Sequence, residues 1–216
     1  MKAIAINGSP RKEWNTATLL NKALEGAASA GAETEMVNLY DLDFKGCCSC
    51  FFCKKKGSGF KGYCAMEDDL TEVLEKAMDS DVILMGSPIY IGYITGEMKS
   101  FMERLLFMNL SYDNPSRTNF KGRIATGFIY TMGVPPDVID RAGYRYIFET
   151  NKGIMARLNG PSEYVVSADN YQFDDYSKYY ASNFDEKHKA KVRSEQFPID
   201  CQNAFEMGAR LCAQVK

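Results

Sequence analysis

Histidine is almost missing from this chain: of 216 residues only His188 carries an imidazole. It sits in a lysine-rich stretch that reads as a solvated helix face, so a Ser-His-Asp hydrolase has no base to work with. An excess of one charge is missing too. Lys and Arg number 26 against 28 Asp and Glu, a formal net charge of -2, and no basic face offers itself to nucleic acid. No apolar run approaches the ~20 residues that cross a bilayer, so no membrane partner is expected. Residues 1–7 lack the charged, apolar, then small order of an export signal and read directly as a strand. Neither a Gly-x-Gly-x-x-Gly turn nor a Gly-Lys-Ser/Thr phosphate loop follows that strand, so dinucleotide and nucleoside-triphosphate readings lose ground.

What is there is the composition of a core-builder, 45% hydrophobic and 12% aromatic. The length fits one domain over residues 1–216, carrying a Cys-rich loop at 45–66 and an aromatic, then helical extension at 169–216. Residues 3–6 and 82–85 are continuous apolar runs, as central strands covered on both faces require. Residues 124–130 and 164–167 read as two further strands, and the mixed run 35–39 suits an edge. Between them lie helical periodicities. Leu70, Val73, Leu74, Ala77 and Met78 form one, behind Asp68 and Asp69 as cap candidates, and Met98, Phe101, Met102, Leu105 and Leu106 form another after Thr95. Leu20, Leu24 and Ala27 mark a helix starting near Asn15 or Thr16. A less periodic helix follows Pro135 and Pro136, and a final one is interrupted near Phe197 and Pro198. Strands alternating with helices predict a doubly wound, five-stranded parallel sheet of order 2-1-3-4-5 in a three-layer sandwich.

In such a sheet the ligand lies beyond the carboxyl ends of the strands, where the strand order reverses. The loop after the first strand reads Asn7-Gly8-Ser9-Pro10-Arg11, then Asn15-Thr16 at a helix start. Backbone N–H groups, hydroxyls and a positive helix end together suit a phosphate, and Arg11 adds a charged fork. A capped turn without a ligand is the alternative. The loop after the third strand carries Pro88, Ile89, Tyr90, Ile91 and Gly92, unusually apolar for a loop. Stacking on a flat ring explains it, as does cover by a neighbouring subunit. After the fourth strand, Thr131, Met132 and Gly133 offer backbone for close approach to a ring edge.

Together these loops resemble the NAD(P)H-dependent FMN reductases and, more closely, the iron–sulfur flavoproteins of the flavodoxin-like group. The phosphate signature stands here as Gly8-Ser9-Pro10-Arg11 with Asn15-Thr16. The ring signature stands as Gly86-Ser87-Pro88-Ile89-Tyr90, followed by Gly96, Lys99, Phe101 and Arg104. A cysteine segment leading into Asp68-Asp69 completes the order. The resemblance implies FMN, with Ser9, Arg11, Asn15 and Thr16 on its phosphate and Pro88, Ile89, Tyr90, Ile91 and Gly92 lining its ring, joined by Thr131, Met132 and Gly133. It implies an oxidoreductase moving electrons from NAD(P)H or ferredoxin to a small acceptor such as a quinone, a flavin or a nitroaromatic. The flavin carries the chemistry, so no catalytic acid–base pair is required of the protein. A flavodoxin-like electron carrier without a small-molecule substrate is the rival.

Seven cysteines, an odd number without an export signal, point to a reducing cytoplasm rather than a disulfide framework. Cys201 and Cys212 read as small apolar residues of the terminal helix. Cys47, Cys50 and Cys53 have the x-x spacing with which three thiolates hold one face of a [4Fe–4S] cube, and Cys64 stands as the fourth ligand after a glycine-rich stretch. The gap 54–63 is longer than that of the iron–sulfur flavoproteins, and Cys48 is an extra thiol. A zinc site or a loop of reduced thiols therefore stays open beside the cluster. The apolar Cys-rich loop and the aromatic run 171–184 are uncomfortable as free surface, so a homodimer or homotetramer is expected.

Overall fold

Alternation along the apolar strands decides the layers. In the computed structural model, which describes residues 1–59 and 62–215, β1 (Lys2–Asn7), β3 (Val82–Tyr90) and β5 (Ile124–Thr131) are the buried centre of the sheet. Residues 60 and 61 of the Cys-rich loop lie outside the described residues. Successive strand side chains face opposite ways. Ala3, Ala5, Val82, Leu84 and Ala125 therefore pack under α1 (Asn15–Ser29) and α7 (Phe197–Gln214). Ile4, Ile6, Ile83, Met85 and Phe128 pack under α2 (Leu70–Met78), α3 (Gly96–Asn109) and α5 (Tyr144–Met155).

The edges are β2 (Glu33–Asn38) and β6 (Asn159–Ser167), and the order β2-β1-β3-β5-β6 is parallel throughout. Counting these strands alone reproduces the expected 2-1-3-4-5 of a flavodoxin-like sheet. One strand was not foreseen. What reads as a loop after residue 86 continues as β3 to Tyr90 and turns back as β4 (Tyr93–Ile94), pairing Tyr90 with Tyr93 and Ile89 with Ile94.

Helix ends differ in detail from their sequence reading. Asp68, not Asp69, serves the start of α2: its Oδ1 accepts the Leu70 N–H at 3.1 Å, while Asp69 makes no cap bond. Thr95 caps α3, accepting from Met98 N–H. The segment after Pro135 forms two helices, α4 (Pro136–Arg141) and α5, broken at Gly143 with φ +76°. The interrupted terminal helix is α6 (Glu186–Glu195) followed by α7. Among the described residues no helix is long and apolar enough to cross a membrane.

α1 and α7 touch backbone to backbone. A Cβ on Gly26 would stand 1.9 Å from the Phe205 carbonyl oxygen, and one on Gly208 the same distance from that of Ala23. Neither helix can retreat, because Leu20 and Leu211 are fully buried beneath them. Gly26→Ala should therefore destabilise by about 1–3 kcal/mol through overpacking, despite alanine's better helix propensity. Gly153 in α5 has nothing within 4 Å of an added Cβ, so Gly153→Ala should stabilise by about 0.5–1 kcal/mol. Thermal unfolding of the two variants beside the parent should move the midpoint in opposite directions; equal shifts would contradict this packing.

Candidate functional site

The three central strands end at staggered heights. β1 pairs with β3 as far as Asn7 opposite Gly86, and Gly8 N–H adds one more bond to the Gly86 carbonyl at 2.8 Å. β3 continues beside β5 to Pro88 opposite Thr131. The first loop thus leaves the sheet exactly where β3 runs on as a wall. Gly8 and Gly86 let the flanking helices close over this junction: a Cβ would meet Met98 of α3 at 2.8 Å or Leu20 of α1 at 2.7 Å.

The first loop is held in a narrow turn. Asn7 Oδ1 accepts the Ser9 N–H at 3.0 Å, and Ser9 Oγ accepts the Arg11 N–H at 3.2 Å. Ser9, Asn15 and Thr16 are buried. The residue before α1 is Trp14, which gives no side-chain cap, and a helix cannot satisfy its own first-turn N–H groups. A buried, uncapped helix start beside hydroxyls and a guanidinium has the donor set of an anion site.

At the hairpin tip Ile91 and Gly92 both have positive φ, +47° and +85°. Such a pair matches the right-handed twist of a two-residue hairpin, but the first position usually carries Asn, Asp or Gly. Ile91 is β-branched and fully exposed, a conformation costing about 1–3 kcal/mol. No contact within the described chain compensates it.

One cavity of about 80 Å³ gathers ten of the twelve sequence-predicted residues: Ser9, Arg11, Asn15, Thr16, Pro88, Ile89, Tyr90, Thr131, Met132 and Gly133. Ile91 and Gly92 stand outside it. Whole-ligand pockets run to about 300–1,000 Å³, so this cavity has the size of a phosphate end, with the neighbouring open surface left for the rest of a ligand.

Sequence reasoning missed the other wall, Trp14, Asn170, Tyr171 and Gln172. Backbone carbonyls of this returning segment hold the first loop: Arg11 donates to Gln172 at 2.7 Å, Asn15 Nδ2 to Tyr171 at 3.0 Å and Trp14 Nε1 to Tyr171 at 3.3 Å. Thr16 and Thr131 share a hydroxyl bond of 2.7 Å, joining first loop to third. The aromatic run packs in part within the chain, with Tyr176 buried among Tyr171, Phe173 and Phe184, while Tyr179 and Tyr180 stay exposed.

Behind the third loop lies a charge cluster that the sequence hides. Asp169, at φ +58°, and Lys189 are both buried and paired, and Lys189 Nζ also donates to the Gly133 carbonyl at 2.6 Å. His188, expected on a free surface, is half-exposed and its Nε2 lies 2.6 Å from Asp169 Oδ2. Burial alone would raise the Asp169 pKa, but the hydrogen bonds from Lys189 and His188 hold it below the ordinary value. Arg193, from the same helix, donates to Asn15 Oδ1 at 3.0 Å.

The cysteine segment gathers under α3. Cys47, Cys48, Cys50, Cys53 and Cys64 all line one cavity of about 20 Å³ with Arg104 and Phe107. Ser49 and Phe51, at φ +56° and +58°, turn the chain between the thiols. Arg104 closes the base of the loop. Its guanidinium donates to the Lys45 and Met66 carbonyls at 3.3 and 3.1 Å and to both Asp68 oxygens at 2.7 and 2.5 Å. The Arg104 Nε–H, also buried, meets no acceptor among the described residues, at a cost of about 1–3 kcal/mol. Lys54 secures the far side, its Nζ binding the Phe107 and Met108 carbonyls at the end of α3. Burial pushes the Cys53 thiol up, opposed by the adjacent Lys54 ammonium. Among the described residues no three His, Cys, Asp or Glu side chains gather as one metal ion requires. What the cysteines share is one cavity lining, five thiols beside Arg104 and Phe107, which is the donor chemistry that iron–sulfur clusters take.

Fold and site together define a flavodoxin-like α/β protein with a hydroxyl-rich turn and an uncapped helix start at the switch point of its sheet. The chain belongs to the NADPH-dependent FMN reductase family, whose model matches residues 1–135. An iron–sulfur flavoprotein of Methanocaldococcus jannaschii is 36% identical over 127 residues, 59% of this chain and 62% of that one. One from Archaeoglobus fulgidus is 40% identical over 104 residues, 48% of each chain. The chain thus spans about half to three-fifths of the length of these curated relatives. Among solved structures, azoreductase AzrA superposes with TM-score 0.65 at 12% identity, over 97% of this chain and 100% of that one. RosB, solved with 8-demethyl-8-formylriboflavin-5′-phosphate bound, gives 0.64 at 18% identity, over 99% of this chain and 79% of that one. At such identities the likeness is one of fold.

The Asp169 cluster lies beyond the family match and has a pH signature. Because the folded pKa is lowered, its contribution to stability is complete above the unfolded Asp value of ~3.9 and is lost as pH falls through the folded value. Urea unfolding of the parent and Asp169→Asn should show a stability gap that narrows as the pH falls below ~4. A gap undiminished at the lowest pH where both fold would refute the pairing.

Proposed function

We propose that this protein is an FMN-dependent oxidoreductase, taking electrons from NAD(P)H or a reduced ferredoxin and passing them to a small acceptor such as a quinone, a free flavin or a nitroaromatic. The observation that carries the reading is the meeting, in one cavity, of a hydroxyl-rich turn, an uncapped helix start and the apolar end of β3. The family supports FMN and a nicotinamide donor, and the riboflavin phosphate bound by RosB supports a flavin phosphate on this fold.

In this reading Ser9, Arg11, Asn15, Thr16 and the start of α1 hold the phosphate. Pro88, Ile89, Tyr90, Ile91 and Gly92 line the ring, and Thr131, Met132 and Gly133 offer it backbone. FMN, when bound, supplies the electron transfer itself. The protein's part is to fix the phosphate, keep the third loop in place through Lys189 and Asp169, and shield the site with the Tyr171 and Gln172 backbone.

A second reading, an electron carrier without a small-molecule substrate, is favoured by the cysteines sharing one cavity and by relatives named iron–sulfur flavoproteins. Cys47, Cys50, Cys53 and Cys64 then hold a [4Fe–4S] cluster, with ferredoxin as donor. In either reading the exposed Phe51, Phe52, Tyr90 and Ile91 support a homodimer or homotetramer.

Arg11→Ala should weaken FMN by about 1.5–3 kcal/mol, the worth of a hydrogen bond to a charged group. Riboflavin, which lacks the phosphate, should bind both proteins alike. Fluorescence titrations decide it; equal losses for FMN and riboflavin would remove Arg11 from the phosphate. Protein purified without oxygen should show a flavin spectrum. On the second reading it also contains iron and acid-labile sulfide, which Cys50→Ser loses. Full flavin with no iron in both proteins ends the cluster reading and leaves the reductase.

A further inference from the structure

The Arg104 guanidinium is 1% exposed and spends its terminal nitrogens on Asp68, Lys45 and Met66, yet its Nε–H has no acceptor among the described residues. Buried N–H groups without partners are rare, and each calls for a reason. The same side chain lines the cavity shared by Cys47, Cys50, Cys53 and Cys64. An unused donor at a cavity lined by thiols fits a sulfur acceptor that arrives with a cofactor.

We propose that Arg104 donates its Nε–H to a sulfur of an iron–sulfur cluster in this cavity and so raises the cluster's reduction potential. The proposal rests on the cluster reading above. Reduction adds one electron to the cluster and moves no proton or covalent bond. The more negative reduced form is the better acceptor, so a fixed N–H donor stabilises it preferentially. The Asp68 carboxylate offsets most of the guanidinium charge, which leaves the hydrogen bond and the residual field as Arg104's influence. Arg104 is thus a potential-setting residue as well as the clasp of the loop.

The test uses the full chain, reconstituted anaerobically with iron and sulfide, and follows the cluster's paramagnetic signal through a dithionite titration. Iron content and bound FMN report whether each variant is intact. Arg104→Lys keeps the charge and loses the fork and its Nε–H, while Arg104→Met loses both. Both should lower the midpoint, Arg104→Met by at least about tenfold in the one-electron equilibrium, which is ~59 mV. Asp68→Asn keeps the shape and removes the offsetting charge, so it should raise the midpoint. It carries the test should the Arg104 variants fail to fold. Wild-type protein that takes up no iron overturns the cluster reading and this proposal with it. Iron-loaded variants with an unchanged midpoint overturn Arg104's role alone, as does Arg104→Lys behaving like wild type. A merely structural clasp would change iron content without opposite shifts in potential.

Discussion

The site depends on the pairing of β1 with β3. Their register ends at Asn7 and Gly86, and the Gly8–Gly86 backbone bond fixes the point where one chain departs and the other continues. Parallel strands covered by helices on both faces leave little room for polar groups within the sheet. The chemistry is therefore confined to the strand ends, and the stagger decides which ends adjoin. A one-residue slip of β3 would exchange Ile83 and Met85 with Leu84 between the two packing layers. The core thus protects the geometry of the loops at its strand ends.

Around that junction the last third of the chain acts as a brace. Tyr171 and Gln172 lend carbonyls to the first loop, Asn170 N–H bonds the Met132 carbonyl at 3.0 Å, and Lys189 holds Gly133. These contacts are mainly backbone oxygens meeting side-chain donors, so the brace constrains position while leaving identity free at many of its residues. That fits its place outside the residues matched by the family model, 1–135.

The central strands and main helices were legible because apolar period reports burial directly. The first loop was legible because Gly, Ser, Asn and Arg at a strand–helix junction have few other uses together. The hairpin was not, since two-residue β4 is too short to show a period and Ile91 disguises a turn that normally carries Asn or Gly. Lys189 was invisible for another reason. In Glu186–Glu195 it alternates with Lys187 and Lys191, and only its partner Asp169, 20 residues away, distinguishes a buried lysine from a solvated one. The carbonyls of Tyr171 and Gln172 leave no side-chain trace at all.

The Arg104 clasp gives the cysteine loop a fixed base, with Lys45 and Met66 drawn to one guanidinium. Between those points the chain is a closed loop, and the entropy of closing a flexible loop grows only with the logarithm of its length, about 0.6 kcal/mol per doubling. The ten residues between Cys53 and Cys64 therefore cost little more than a shorter gap would. Insertions there change the reach of the fourth thiol far more cheaply than they change the other three, which sit at fixed spacing beside Lys54 and its anchor on α3.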